Sequence, residues 1–309
     1  LALPAPLFAN PPAEPAAKAS VITTGEDRAM RMTVPVMING QGPFNFVIDT
    51  GADRTVISQA LATRLNLPDG GKAKLHAMGG SADVRTVKIA TLSVSTNVHR
   101  NIKAAALPER YLGADGMLGV DSLKNQRIVM DFRAQTLRLE PSSTPEEVIK
   151  DGSTIIVSAR TKLGQLVMVD ADANGEKLWV VVDTGAQNTV GNSRLKRTLS
   201  RNLDPVAMRQ IEMIDVIGRR TPATYTIVDK IRIGGVQMGN AAVAFADAHP
   251  FRLFGLDKKP SMLLGMESLR SFRRVSVDFS TRKVKFHLND TGKALDDHLL
   301  TQTATSPAT

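Results

Sequence analysis

Two aspartates, Asp49 and Asp183, occupy matching positions in a short sequence that occurs twice in the 309-residue chain. Each follows a run of apolar residues and precedes Thr-Gly-Ala, so each is expected to leave a buried strand and enter a turn. Two carboxyl groups in contact cannot both ionise, so such a pair shares one proton. The carboxylate then acts as a general base on a water, and its protonated partner acts as a general acid for a leaving amine. The doubled sequence predicts this chemistry if the two aspartates meet.

The residues after each aspartate are expected to shape and brace the two loops. Threonine can hydrogen-bond locally, and glycine lets a ligand or another backbone approach closely. We predict that Thr50 and Thr184 brace the loops against each other, while glycine admits the substrate. The predicted loop residues are Thr50, Gly51, Ala52, Thr184, Gly185 and Ala186.

The similarity between the two halves extends beyond these loops. Residues 44–58 return as residues 178–192, and residues 116–139 return as residues 262–286. The landmarks keep the same order in both halves, which indicates a duplication. The polar, proline-containing segment 141–152 lies where the repeat changes copy, so we interpret it as a linker. The predicted boundaries are a disordered leader over 1–25, lobes over 26–140 and 153–290, and a disordered tail over 291–309.

Both copies are predicted to be rich in β-structure. In each, apolar residues lead to an Asn-Gly pair, at Asn39-Gly40 and at Asn174-Gly175, which is typical of a tight hairpin turn. Short apolar strands recur along the chain, and helical spacing is short and local. The terminal hairpins near Val129–Leu139 and Val275–Phe286 are the candidates for a sheet that joins the two lobes.

Segment 48–56, IDTGADRTV, resembles the active-site signature of retropepsin-type aspartic proteases, particularly the retroviral-like proteases found in bacteria. MLGVDSL at 117–123 and LLGMESL at 263–269 are similar to the second signature of that family, and the resemblance covers nearly all of residues 30–287. It implies closed, mostly β lobes, a polypeptide substrate, and Asp49 and Asp183 as catalytic residues. Members usually supply one aspartate per subunit of a homodimer, so two copies in one chain imply a monomeric pseudodimer with a pseudo-twofold axis.

The resemblance also implies that a β-hairpin flap covers the cleft in each lobe. The repeat alignment places the two flap tips at corresponding positions of the two copies, and the tips differ from each other. The candidate substrate-binding residues at these tips are Met78, Gly79, Gly80, Ile217 and Gly218. In addition, Arg54 in one copy and Gln187-Asn188 in the other stand where many retroviral members have acidic residues.

The composition excludes several classes of site. The chain has no cysteine, which excludes disulfide scaffolds, thiolate zinc sites, iron–sulfur clusters and cysteine nucleophiles. Its five histidines lack metal-ligand spacing, and the calcium-loop-like start at 170–175 has Val181 where a bidentate glutamate is required. No metal and no organic cofactor is therefore predicted.

Two other classes of function remain to be weighed. A peptide-binding module that keeps the cleft without cleaving is the alternative to an aspartic endopeptidase, because the flap tips and the residues after each motif depart from the family pattern. The net charge of +9 favours an anionic partner such as nucleic acid. However, the positive residues are scattered and aromatic residues make up only 4% of the chain, so nucleic acid is not a predicted partner.

The N-terminal segment indicates export. Residues 1–9 are expected to be the end of a secretory signal, with a small-residue cleavage site near Ala9. The expected location is therefore periplasmic or secreted, in a bacterial envelope. A retained signal would instead be a membrane tether, and it would hold the same lobes at the inner membrane.

Overall fold

Strands rich in valine and isoleucine form most of the chain. The computed structural model describes residues 20–23, 25–26, 31–94, 97–123, 125–145, 154–162 and 164–288. These residues form an 8-stranded sheet and a 13-stranded sheet, each of which contains the strands of one lobe, and this confirms the predicted mostly β class with two lobes. The predicted tail over 291–309, residues 1–19 of the predicted leader and residues 146–153 around the predicted linker lie outside the described residues.

The first half of the chain contains eleven of the described strands and two short helices. The strands are β1 (Ser20–Thr23), β2 (Gly25–Glu26), β3 (Met32–Ile38), β4 (Gln41–Ile48), β5 (Val56–Ser58), β6 (Asp69–Ala77), β7 (Gly80–Val94), β8 (Asn97–Leu107), β9 (Gly116–Leu118), β10 (Gln126–Asp131) and β11 (Thr136–Pro141). The helices are α1 (Gln59–Arg64) and α2 (Glu109–Leu112), and a 3-10 turn covers Val120–Ser122.

The second half repeats this arrangement with ten described strands and three short helices. The strands are β12 (Thr154–Lys162), β13 (Gln165–Ala173), β14 (Glu176–Val182), β15 (Thr189–Gly191), β16 (Arg209–Ile214), β17 (Arg220–Ile233), β18 (Val236–Phe245), β19 (Ser261–Leu264), β20 (Arg274–Asp278) and β21 (Lys283–His287). The helices are α3 (Ser193–Thr198), α4 (His249–Leu253) and α5 (Met266–Leu269). Among the described residues, no helix is long and apolar enough to cross a membrane.

The two lobes have the same strand order. In the first lobe the order is β3-β4-β9-β5-β8-β7-β6, and in the second it is β13-β14-β19-β15-β18-β17-β16. An additional pairing, β3 with β7 and β13 with β17, closes each sheet on itself. The duplication that the sequence indicates is therefore present in the topology.

The predicted hairpin turns lie where the sequence places them. Asn39 and Gly40 join β3 to β4, and Asn174 and Gly175 join β13 to β14, all four with positive φ. Two consecutive positive-φ residues define the turn whose twist matches the flanking strands, and Asn-Gly adopts it with little strain. Each turn feeds the strand that ends at an aspartate.

A sheet made from the ends of both halves joins the two lobes. Strands β10 and β20 pair antiparallel, with Ile128 opposite Val277, and their hairpin partners β11 and β21 flank them. This confirms the two terminal hairpins as the joining elements. Strand β1 also pairs with β11, although the sequence predicts that Ser20–Thr23 belongs to a disordered leader. The difference arises because this strand forms against β11, a partner more than 100 positions away that the local sequence does not indicate.

Candidate active site

Each aspartate lies at the end of a buried strand, as predicted. Asp49 follows β4, and its backbone N–H donates to the carbonyl of Leu118 in the parallel neighbour β9 at 2.9 Å. Asp183 follows β14, and its N–H donates to the carbonyl of Leu264 in β19 at 3.0 Å. The loop beyond Asp49 is held by Val120, whose N–H donates to the carbonyl of Ala52 at 2.8 Å. Both aspartates are therefore positioned by parallel strand pairs.

The two threonines after the aspartates bind each other's loops reciprocally. The Thr50 hydroxyl donates to the carbonyl of Val182 at 2.9 Å, and the Thr184 hydroxyl donates to the carbonyl of Ile48 at 2.7 Å. Each hydroxyl oxygen also accepts the backbone N–H of the other threonine, at 3.0 and 3.2 Å. All of these groups are buried, so the network fixes one loop relative to the other. This is the bracing that the sequence predicts.

The aspartate side chains meet across the pseudo-twofold axis by packing on each other's glycine. A Cβ atom added to Gly51 would lie 2.7 Å from a carboxyl oxygen of Asp183. A Cβ atom added to Gly185 would lie 2.2–2.4 Å from the carboxyl group of Asp49. Only glycine fits at either position, because real Cβ contacts are longer than this. The sequence predicts that these glycines let the substrate approach. In the structure they first of all let the opposite aspartate approach.

Burial makes both carboxyl groups hard to ionise. Desolvation, with the charge of Asp183 second, raises the pKa of Asp49 to about 7, against a usual value of 3.8. Desolvation also raises the pKa of Asp183. The raised pKa values of both groups favour a pair that shares one proton, which is the state that combined acid and base catalysis requires.

Backbone N–H groups of each active-site loop stabilise the charged form of its aspartate. Oδ1 of Asp183 accepts two N–H groups, from Gly185 at 3.1 Å and from Ala186 at 3.2 Å. Oδ1 of Asp49 accepts the N–H of Gly51 at 2.9 Å, whereas the N–H of Ala52 donates to the main-chain carbonyl of Asp49. Hydrogen bonds to a carboxylate stabilise its charged form. The N–H groups of Gly51 and Ala52 therefore lower the pKa of Asp49, and those of Ala186 and Gly185 lower the pKa of Asp183.

Sequence analysis missed Arg31, a buried arginine next to the aspartate pair. Its guanidinium donates to the carbonyl of Gly185 at 3.0 Å and to the carbonyl of Leu112. The positive charge lowers the pKa of Asp49 and of Asp183, partly offsetting desolvation. Aligning the two copies could have identified this position, because Arg31 precedes Asp49 by as many residues as Gln165 precedes Asp183.

The structure places all five predicted tip residues at two hairpins. Met78 and Gly79 connect β6 to β7, Gly80 begins β7, and Ile217 and Gly218 lie between β16 and β17. Each tip reaches the opposite lobe. Met78 packs on an apolar cluster of the second lobe that includes Val181 and Phe251, whereas Ile217 packs on a cluster of the first lobe that includes Val47 and Leu112.

Asp215, which sequence analysis did not single out, connects the two tips. One carboxylate oxygen accepts the N–H groups of Ile217 and Arg219 within its own turn, at 3.0 and 2.9 Å. The other oxygen accepts the N–H of Gly79 in the opposite tip at 2.9 Å. Arg219 completes the contact by donating to the carbonyl of Ser81 at 2.8 Å. The two hairpins therefore meet through polar as well as apolar contacts.

A histidine pair lies beside this contact. Nδ1 of His76 in β6 and Nε2 of His249 in α4 are 2.8 Å apart, and their rings stack at 5.1 Å between centroids. The backbone N–H of His249 donates to the carbonyl of Met78 at 2.7 Å. Burial and nearby positive charge lower the pKa of His249. Among the described residues, no group of three or more histidine, cysteine or acidic side chains could hold a metal ion.

Two closed lobes that hold a buried aspartate pair between braced loops define the acid-protease class of fold. Residues 34–125 match the family described as "gag-polyprotein putative aspartyl protease", and residues 169–268 match the family described as "Aspartyl protease". The chain belongs to the retroviral-type aspartyl proteases and carries two of their domains in tandem, which confirms the resemblance found in the sequence. No curated protein matches the chain.

Proposed function

We propose that this protein is an aspartic endopeptidase that hydrolyses peptide bonds in polypeptides with a water activated by Asp49 and Asp183. The observation that carries the proposal is the buried carboxyl pair, each member packed on the glycine that follows the other. Family membership supports a peptidase, and it supports a polypeptide as the partner. The reaction requires no group other than the two carboxyls and water.

We propose a separate role for each aspartate. Asp183, with two N–H donors, carries the charge and takes a proton from the water as its oxygen bonds to the peptide carbonyl carbon. Asp49 gives its proton to the carbonyl oxygen, which forms a neutral tetrahedral diol. The C–N bond then breaks as Asp183 protonates the amine and Asp49 recovers a proton from the diol. Both carboxyls return to their starting states, and no covalent intermediate forms.

The hairpin tips provide the walls of the proposed substrate cleft. Met78 and Ile217 lie against apolar clusters on opposite sides of the aspartate pair, so an extended polypeptide must displace or share these contacts. Apolar side chains can replace the apolar contacts of the tips at similar free energy. We therefore propose that the enzyme prefers apolar residues beside the cleaved bond.

The decisive experiment compares the wild-type protein with Asp49→Asn and Asp183→Asn on an unfolded, fluorescently labelled polypeptide, at mildly acidic and at neutral pH. Both variants should lose at least about a thousandfold in rate, because each removes one partner of the acid–base pair. Asp257→Asn is the matched control, since Asp257 is an exposed aspartate of the second lobe. Unchanged cleavage by both site variants contradicts the proposal. Polypeptide binding without cleavage by the wild type identifies a peptide-binding module instead.

The same assay tests the monomeric pseudodimer. Because both aspartates belong to one chain, the activity per chain should stay constant when the protein is diluted. A loss of specific activity on dilution, together with a change in sedimentation, would show that halves of different chains pair.

A further inference from the structure

The first hairpin tip is fastened to the second lobe by a histidine. Nδ1 of His76 in β6 lies 2.8 Å from Nε2 of His249, the first residue of α4 in the second lobe. The backbone N–H of His249 donates to the carbonyl of Met78 at 2.7 Å, and the side chain of Met78 packs on the apolar cluster of the second lobe. His249 therefore holds the tip through both its ring and its main chain.

The other half of the molecule has a different pair at the corresponding positions. In the alignment of the two tips, His76 corresponds to Asp215. His249 begins α4, and Glu109 begins α2, the helix at the same place in the first lobe. Two carboxylates offer only acceptors to each other, and the Asp215 carboxylate instead accepts N–H groups from both tips. The histidine pair is thus a feature of the first tip alone.

A hydrogen bond between two imidazole rings depends on how many protons the rings carry. One ring nitrogen must donate a proton, and the facing nitrogen must have a free lone pair. This condition holds when both rings are neutral and also when one ring is protonated. It fails when both rings are protonated, because both facing nitrogens then carry a proton and both rings a positive charge. Acid therefore breaks the contact at the second protonation.

The groups around His249 set the pH at which this happens. Burial lowers the pKa of His249 first, and nearby positive charges lower it further. Both rings consequently carry a proton only below the usual imidazole pKa of 6.5, and the contact persists at neutral pH. The ionisable neighbours are Arg252 of α4, Arg219 and Asp215 of the second tip, and the cross-strand pair Lys74 and Asp83, which shares a face of the first hairpin with His76.

We propose that His76 and His249 form a pH-sensitive latch, which holds the first hairpin tip on the second lobe at neutral pH and releases it in acid. The cluster under the tip includes Val181, two residues before Asp183, so the tip lies beside the aspartate pair. This inference rests on the proposed function in one step, the link between release of the tip and entry of a polypeptide.

Proton uptake supplies the free energy for release. The ring of His249 binds a proton less readily in the closed state than in the released state, so a fall in pH favours the released state. For one proton, the equilibrium constant for release grows by at most about tenfold per pH unit. Above the usual imidazole pKa the equilibrium should no longer depend on this group.

The test measures the position of the tip directly. The chain has no cysteine, so Lys72→Cys on the first hairpin and Lys258→Cys in the second lobe, both at exposed positions, accept a pair of nitroxide labels. Pulsed electron paramagnetic resonance should find a short distance between the labels at pH 7.5. At pH 5 a longer distance should appear, with its share of the molecules increased by about fivefold or more.

Non-titrating substitutions separate the latch from other effects of acid. His76→Asn combined with His249→Gln places a side-chain amide near each of the two ring nitrogens, and an amide hydrogen-bonds without taking up a proton. This double variant should keep the short distance at both pH values. His249→Ala removes the ring but keeps the N–H that binds Met78, and it should show the longer distance already at pH 7.5.

His99→Asn is the matched control. His99 lies in β8 of the first lobe, outside both hairpin tips, and burial lowers its pKa as well. This variant should respond to acid as the wild type does. A wild-type distance that is the same at pH 7.5 and at pH 5 would overturn the latch. A response to acid that persists in the double variant would also overturn it, because Asp215 or the aspartate pair would then be the group that titrates.

Polypeptide binding distinguishes a failed latch from a failed function. The distances require no activity, so they are measured in the Asp49→Asn background, which also removes one titrating carboxyl of the site. In this background an unfolded, fluorescently labelled polypeptide should bind faster at pH 5 than at pH 7.5, and the double variant should lose this dependence. Release of the tip without polypeptide binding would contradict the proposed function and support the latch. Polypeptide binding with a tip that stays fixed at pH 5 would overturn the latch and leave the proposed function in place.

Discussion

The reciprocal threonine network makes a quantitative prediction about how the lobes are held together. In Thr50→Val the side chain keeps its shape, but the carbonyl of Val182 and the N–H of Thr184 lose a buried partner. Each unsatisfied buried backbone group costs about 1–3 kcal/mol, less the gain from burying one more methyl group. We expect a loss of about 2–4 kcal/mol in the free energy of unfolding.

Urea denaturation followed by tryptophan fluorescence and circular dichroism measures this loss. With a slope of about 3 kcal/mol per molar urea for a chain of this size, the midpoint should fall by about 1 M. The matched control is Thr226→Val, since Thr226 is also 1% exposed but its hydroxyl has no partner among the described residues. That substitution should leave the midpoint unchanged or raise it slightly.

The double variant Thr50→Val with Thr184→Val separates a network from two independent contacts. The two hydroxyls bind the same pair of loops. Thr184→Val should therefore lower the free energy of unfolding by less in the Thr50→Val background than in the wild type. Equal urea midpoints for Thr50→Val and Thr226→Val would refute the reasoning. The loss of stability would then follow from the burial of the threonine and not from its hydrogen bonds. Strict additivity in the double variant would refute the coupling.

Three further substitutions test the site. The stability of Asp49→Asn relative to the wild type should rise from pH 4 to pH 8 by up to about 4 kcal/mol. The reason is that Asp49 keeps a proton up to about pH 7 in the folded wild type, whereas in the unfolded chain it loses this proton near pH 3.8. The same stability difference at pH 4 and at pH 8 would contradict this. Gly185→Ala should abolish cleavage because its Cβ would overlap the carboxyl of Asp49, whereas Gly235→Ala, with no contact under 3.6 Å, should cleave normally. Asp215→Ala should speed trypsin cleavage after Arg219, and an unchanged digestion rate would show that Asp215 does not stabilise the tip.

The part of the site that sequence analysis predicted is the part encoded locally. The apolar run before Asp49 and Thr-Gly-Ala after it fix a strand end and a loop, and the repeat supplies the second copy. The joining sheet was also predictable, because the terminal hairpins near Val129–Leu139 and Val275–Phe286 alternate apolar residues within short spans. The same local rules misassigned Ser20–Thr23, whose strand depends on finding β11 as a partner.

Residues whose roles depend on distant partners were not predictable in this way. Arg31 binds a carbonyl 154 positions away, and Asp215 binds an N–H 136 positions away. Neither residue type is unusual at its place, since an arginine before a strand and an aspartate in a turn are common on protein surfaces. Their roles appear only once the two lobes are placed together.

A cleft made from two unequal halves of one chain has a direction. Two identical subunits bind an extended polypeptide equally well in either orientation, because their twofold rotation exchanges the orientations. Here the corresponding rotation exchanges Met78 with Ile217 and Arg54 with Asn188, so the two orientations differ in free energy. A difference of about 1.4 kcal/mol is enough to favour one orientation tenfold. A single substitution in this chain can therefore change the selectivity on one side of a bound segment. In a homodimer the same substitution would change both sides.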